Sequence, residues 1–173
     1  KKASPRNLLL MRHGEAEGSP DRERVLTKTG MAQCRAVADA LSREGLRPDF
    51  ILCSGVRRTR ETLDVLMAAL GLQNVPTIFC DDDLYRANST DDILRVIGKN
   101  VPDTARVPLV IGHNPTIHMT VCDLAQSCQS EHKQKITAHY PPATMSVFSV
   151  SWASWAKPRV AETILEQVIL GGQ

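Results

Sequence analysis

Four short apolar runs, spaced along the chain with helix-like segments between most of them, limit the possible folds more than any other feature of this sequence. The runs are Leu8 to Met11, Phe50 to Cys53, Val75 to Cys80 (interrupted early by Pro76) and Leu109 to Ile111. Each reads as a strand, the first a short buried one. Between the first two, Met31, Cys34, Val37, Ala38 and Leu41 recur at three-and-four spacing, which predicts an amphipathic helix from Lys28 to about Glu44. Thr27 or Thr29 caps its start and Gly45 ends it. A second helix is expected from a Ser54 cap to about Leu70, with Leu63, Leu66, Met67 and Leu70 inward and Gly71 as the stop. Further helices are expected from Asp91 to about Ile97, with Thr90 as cap, and from Thr116 to Leu124. Strands joined by helical crossovers pair in parallel. The last two alternating stretches, Thr144 to Trp152 and Val160 to Leu165, read as an antiparallel edge. The expected fold is therefore α/β: three layers, α/β/α, around a mainly parallel sheet. Residues 126–139 and the run Asp81-Asp82-Asp83 read as solvated loops. The 173 residues form one domain, 1–173, with no internal repeat, linker or low-complexity tract.

Composition closes off several classes of function. Lys plus Arg is 21 and Asp plus Glu is 19, a net charge of +2, which gives no basis for nucleic acid or a membrane surface as partner. No apolar run approaches the ~18 residues of a membrane span, and no signal-peptide pattern is present. Five cysteines without a C-x-x-C pair suggest reduced thiols, so the expected location is the cytoplasm. No G-x-x-x-x-G-K-[ST] loop exists, which excludes P-loop nucleotide hydrolysis. His118 lies five residues after His113, the wrong spacing for a helical zinc pair. Cys80-x5-Arg86 formally matches a cysteine-phosphatase spacing, but its three aspartates would repel phosphate.

In open α/β sheets, ligands sit outside the carboxyl ends of the strands. The residues following the first strand are Arg12, His13 and Gly14; following the second, Ser54, Gly55, Val56, Arg57 and Arg58; following the fourth, Gly112, His113 and Asn114. Two imidazoles and two or three guanidiniums thus converge on one sheet edge, with Glu15 the only carboxylate in the set. Arginine forks match phosphate oxygens, and the helix start near Ser54 adds amides and a positive dipole end. A pair of histidines adds chemistry to binding. A neutral imidazole can attack phosphorus while a second, protonated one stabilises the equatorial oxygens. Gly14 allows a backbone carbonyl to fix the tautomer of His13.

Leu8 to Ala16, with Arg12-His13-Gly14 at its centre, resembles the Arg-His-Gly motif of the histidine phosphatase superfamily, which includes phosphoglycerate mutases and acid phosphatases. Further blocks agree in order: Asp21-x-x-Arg24-x-Leu26-Thr27-x-x-Gly30, Pro48-Asp49, Ser54-x-x-x-Arg58-x-x-x-Thr62 and Gly112-His113-Asn114-Pro115. The second block resembles SixA-type phosphohistidine phosphatases in particular. The resemblance implies a phosphoglycerate mutase-like fold and His13 as a nucleophile that forms a phosphohistidine intermediate. It also implies that Arg12, Arg58 and His113 hold the phosphoryl oxygens, with neither metal nor cofactor required. Motif register selects Arg58 over Arg57. Arg24, Glu15 and Asn114 are candidate substrate-binding residues: Arg24 either touches substrate or pairs with Asp21, and Asn114 either orients His113 or, the favoured reading, caps the next helix.

Two departures from the family pattern bear on function. Ser54-Gly55 stands where the family commonly has Ser-Pro, which predicts a more mobile loop into the second helix. Tyr85 follows Leu84 where many members carry a proton-donating Glu. Without that acid an alkoxide leaves poorly, whereas a phosphoramidate P–N bond breaks once its ring is protonated. The expected substrate is therefore phosphohistidine on a phosphotransfer or phosphocarrier protein, although Glu15 or an Asp of the 81–83 run could still donate. The alternatives are a phosphatase for a small phosphomonoester and, last, a phosphate-binding module without turnover.

Overall fold

A computed structural model describes residues 6–126 and 131–172. Cys128, residues 127–130 of the expected 126–139 loop and the opening Lys1 to Pro5 lie outside the described residues. Six strands form one sheet in the order β5-β4-β6-β1-β7-β8, with β1 at Arg6–Arg12, β4 at Phe50–Cys53, β5 at Thr77–Phe79, β6 at Pro108–Gly112, β7 at Thr144–Val150 and β8 at Thr163–Leu170. β5, β4, β6 and β1 run parallel, while β7 is antiparallel to both β1 and β8. This is the expected mainly parallel sheet with an antiparallel edge. A separate two-stranded ribbon, β2 (Ala16–Glu17) with β3 (Val25–Leu26), was not foreseen; two-residue strands are too short to carry an alternation signal.

The helices are α1 (Lys28–Arg43), α2 (Arg57–Leu70), α3 (Asp81–Tyr85), α4 (Thr90–Asn100), α5 (Thr116–Ala125) and α6 (Lys133–Thr137). Strand residues alternate between the two faces of the sheet. Leu8 and Leu10 of β1 join the core under α4 and α5, whereas Leu9 and Met11 join the core under α1 and α2. Helices on both faces complete the three layers. The first core also takes Trp152 and Trp155, both fully buried, with their rings edge to face at 5.8 Å.

Several local expectations need correction. Thr27, not Thr29, caps α1, its hydroxyl accepting from the Gly30 amide at 2.9 Å. Met31 is 38% exposed rather than inward. Ser89, not Thr90, caps α4 by accepting from the Asp92 amide. The 81–83 run opens α3, where three carboxylates face the positive helix end. The stretch 126–139 contains α6, and Val160 to Glu162 is a 3-10 turn before β8. Ser54 does not cap α2: the cap position is Val56, and the Ser54 hydroxyl is engaged elsewhere.

Candidate active site

The carboxyl ends of β1, β4 and β6 lie side by side, and β1 and β6 stay in register to Arg12 and Gly112. His13 continues that ladder by donating its amide to the Gly112 carbonyl at 3.2 Å, and its own carbonyl accepts from Ala143. The backbone around the ring is thus pinned on both sides. Gly14 and Gly30 make the next turn possible. A Cβ on Gly14 would sit 2.8 Å from Cys34 Sγ and from the Gly30 carbonyl, and one on Gly30 would sit 2.2 Å from the Glu15 carbonyl. The start of α1 therefore packs directly against the backbone after His13.

His13 is 6% exposed, and its Nδ1 lies 2.7 Å from the Gly14 carbonyl. A carbonyl only accepts, so Nδ1 carries the proton and Nε2 keeps its lone pair. Arg58 Nε donates to that Nε2 at 3.2 Å. Burial, followed by the charges of Arg58, Arg12 and Arg24, pushes the His13 pKa down to about 4, against the raising effect of the Gly14 bond. The ring is neutral at pH 7 and able to act as a nucleophile.

Arg58 is the second residue of α2 and equally buried. Its backbone carbonyl accepts from Thr62 Oγ1, which in turn accepts from the Gly14 amide. That hydroxyl couples the cation-bearing helix to the turn after the nucleophile. The guanidinium reaches Asp21, with Nη1 on the main-chain carbonyl at 2.7 Å and Nη2 on the carboxylate at 3.3 Å. Arg12 donates Nη1 to the Tyr140 carbonyl, and its buried Nε has no protein partner among the described residues.

The His113 ring centroid is 5.4 Å from that of His13. His113 Nε2 is 2.7 Å from Ser54 Oγ, so the serine read as a helix cap orients the second imidazole instead. Burial, then His13 and Arg58, lower the His113 pKa to about 3, with Asp21 opposing. The ring is neutral here rather than protonated, and an incoming phosphoryl dianion reverses the sign of the surrounding field.

The secondary candidates are placed less centrally. Asn114 neither caps α5 nor bonds to His113; its Nδ2 donates to the same Tyr140 carbonyl that holds Arg12. The Glu15 carboxylate accepts from Thr27 Oγ1 at 2.8 Å and so braces the α1 cap. Arg24 donates to the Ala16 carbonyl and lies 3.8 Å from Asp21, which realises its pairing alternative. Arg57 pairs with Glu61 at the surface. Gly55 does not simply loosen the loop: a Cβ there would lie 3.0 Å from Asp81 Cα, so the glycine lets α3 approach α2.

Sequence reasoning assigned no site role to Asp21, Tyr85 or the Tyr140 carbonyl. Tyr85 Oη donates to the Asp21 carboxylate at 2.5 Å, and its ring stands edge to face with His113 at 5.5 Å. Arg22 covers that ring at 4.4 Å. The spacing of Asp21 and Arg24 within one block hinted at the first; a main-chain carbonyl 128 residues from Arg12 leaves no sequence signal.

Residues 8–84 match the family described as the histidine phosphatase superfamily (branch 1). SixA from Nakamurella multipartitia is 32% identical, and the superposition covers 98% of both chains with a TM-score of 0.80. The chain belongs to the histidine phosphatase superfamily. Its fold is phosphoglycerate mutase-like, and its likeness to SixA runs the full length of that phosphatase. Among curated sequences, an uncharacterised chloroplastic protein of Arabidopsis thaliana is 31% identical over 120 residues. A 2,3-bisphosphoglycerate-dependent phosphoglycerate mutase of Xanthobacter autotrophicus is 31% identical over 80 residues. The matched parts span only 54% and 39% of those two proteins. Among the described residues no helix is long and apolar enough to cross a membrane.

Proposed function

We propose that this histidine phosphatase superfamily member hydrolyses a phosphoryl group through a covalent intermediate on His13. The observation that carries the reading is the His13 ring itself. Nδ1–H is committed to the Gly14 carbonyl, and the Nε2 lone pair accepts from Arg58 Nε, a donor that turns to the phosphoryl oxygens as substrate enters. The Nε2 lone pair forms a bond to phosphorus while the bond from phosphorus to the leaving group breaks. Arg58, Arg12 and His113 then surround the transferring oxygens, and charge developing there meets donors already in place. The unpaired Nε of Arg12 and Nδ1 of His113, both buried, gain an acceptor when a phosphoryl group enters. Water on the outer side completes the reaction by hydrolysing the adduct and freeing His13.

The substrate best supported is phosphohistidine on a protein, such as a phosphotransfer or phosphocarrier partner. Tyr85 occupies the position of the family's usual acid, and its hydroxyl proton is directed to Asp21 rather than to a leaving oxygen. The Asp21 bond and burial raise the phenol's pKa, which makes it a poorer acid still. An alkoxide would leave without help, whereas a phosphorylated imidazole brings its own proton. Free thiols at Cys34, Cys53, Cys80 and Cys122 fit a reducing, cytoplasmic setting. A small phosphomonoester remains the second reading, favoured by the mutase relatives. The test compares wild type and His13→Ala on a histidine-phosphorylated peptide and on p-nitrophenyl phosphate. Turnover of the peptide by wild type, with loss in the variant, is expected. Preference for the ester would replace the substrate class, and no turnover of either would overturn the reading.

A further inference from the structure

Resting on that reading, we propose that Asp21 is a specificity-determining residue: its carboxylate stands where the leaving group departs and selects one that carries positive charge. Arg58 separates Asp21 from the nucleophile, with Nε toward His13 and Nη1 and Nη2 toward Asp21. His13 and Arg58 are each 6% exposed, whereas the Asp21 side chain is 53% exposed. A leaving group departs opposite the attacking Nε2, away from the buried ring and out to solvent, past the rim that Asp21 and Tyr85 form.

The groups facing that carboxylate keep it ionised. Tyr85 of α3 donates to it, Arg58 of α2 donates to it, and Arg24 of its own turn lies 3.8 Å away. The Tyr85 bond comes first among the causes that hold its pKa below the ordinary carboxylate range. Arg22 is turned away, stacked on Tyr85 and paired with Asp82. At the β6 end, His113 is neutral. A negative charge thus persists at the mouth of a site built for a dianion. It costs affinity for any phosphoryl compound, and that cost is recovered only when the group attached to phosphorus is cationic in the bound substrate.

A phosphorylated imidazole protonated on its free nitrogen is such a group. His13 Nε2 bonds to phosphorus, the P–N bond breaks, and its electron pair returns to the departing ring. That ring leaves neutral because it already holds its proton. The positive charge moves to the phosphorylated His13 ring, whose Nδ1–H stays on the Gly14 carbonyl. No proton from the protein is required. Asp21 raises the fraction of substrate in the protonated form, an effect that matters most above the substrate ring's own pKa.

Asp21→Asn keeps an acceptor for Tyr85 and leaves the main-chain contact to Arg58 while removing the charge. The ratio of kcat/KM for a histidine-phosphorylated peptide to that for p-nitrophenyl phosphate is expected to fall about tenfold in Asp21→Asn. The alkaline limb of the peptide pH profile should move to lower pH, and Asp21→Glu should restore part of the ratio. An unchanged ratio and profile, with wild type active on both substrates, would overturn the charge-selection role. Absence of wild-type turnover on either would instead strike at the phosphatase reading.

Discussion

At the scale of single residues, the site consists of two neutral imidazoles, His13 buried and His113 half-buried, held among cations. Burial lowers His13 to about 4 and His113 to about 3, so neither binds a proton near neutrality in the folded chain. The unfolded chain protonates its histidines near pH 6.5, so it holds more protons than the native state below that value. The stabilising contribution of a neutral His13 is thus complete above about pH 6.5. It is lost as pH falls toward about 4 and is worth on the order of 3 kcal/mol across that window. The difference in unfolding free energy between wild type and His13→Gln should follow this window, and inorganic phosphate should compress it by favouring the charged rings. A difference independent of pH between 4 and 7 would contradict the burial argument. Arg58→Ala removes the donor nearest the attacking nitrogen and should lower kcat by on the order of 10²–10³. A variant with near-full turnover would remove Arg58 from the reaction. His13, Arg12, Arg58 and His113 were legible as a cluster because each lies at or shortly after a strand end in a short, fixed block. Asp21 and Tyr85 were not, because their meeting depends on how an irregular excursion folds back on α3.

At the scale of elements, the strands and long helices were legible wherever apolar spacing was continuous over several residues. Caps were less so. Thr27 and Thr29 offer the same hydroxyl, and only the path of the chain decides which meets Gly30 N. Ser54 shows a deeper limit: a serine before a helix is the usual sign of a cap, yet here its hydroxyl serves His113 from the neighbouring strand end. Periodicity cannot report such a partner across the sheet. Contact between α1 and the catalytic turn rests on two facing glycines. Gly30→Ala drives a Cβ into the Glu15 carbonyl, where a backbone atom rather than a flexible side chain must yield. A loss of about 1–3 kcal/mol is expected, accompanied by reduced turnover, because the displaced segment is the turn that directly follows His13. Thermal unfolding and kinetics of the purified variant measure both; full stability would mean that the turn relaxes freely.

At the scale of the whole molecule, a parallel sheet with helices on both faces leaves its strand ends as the place where polar side chains from distant segments can meet without breaking either core. Arg12, Arg58 and His113 come from the ends of three different strands or the segments just after them, and the Tyr140 carbonyl before β7 supplies a common acceptor for Arg12 and Asn114. The sheet order explains the convergence: β4, β6 and β1 are adjacent although far apart in sequence. The central claim is that His13 Nε2 takes the phosphoryl group. The most direct measurement is mass spectrometry under alkaline conditions, which preserve phosphohistidine, on protein mixed rapidly with a histidine-phosphorylated peptide. A transient adduct of one phosphoryl group on His13, absent from His13→Ala, is the predicted result. Turnover by wild type without any adduct at His13, or turnover persisting in His13→Ala, would contradict it.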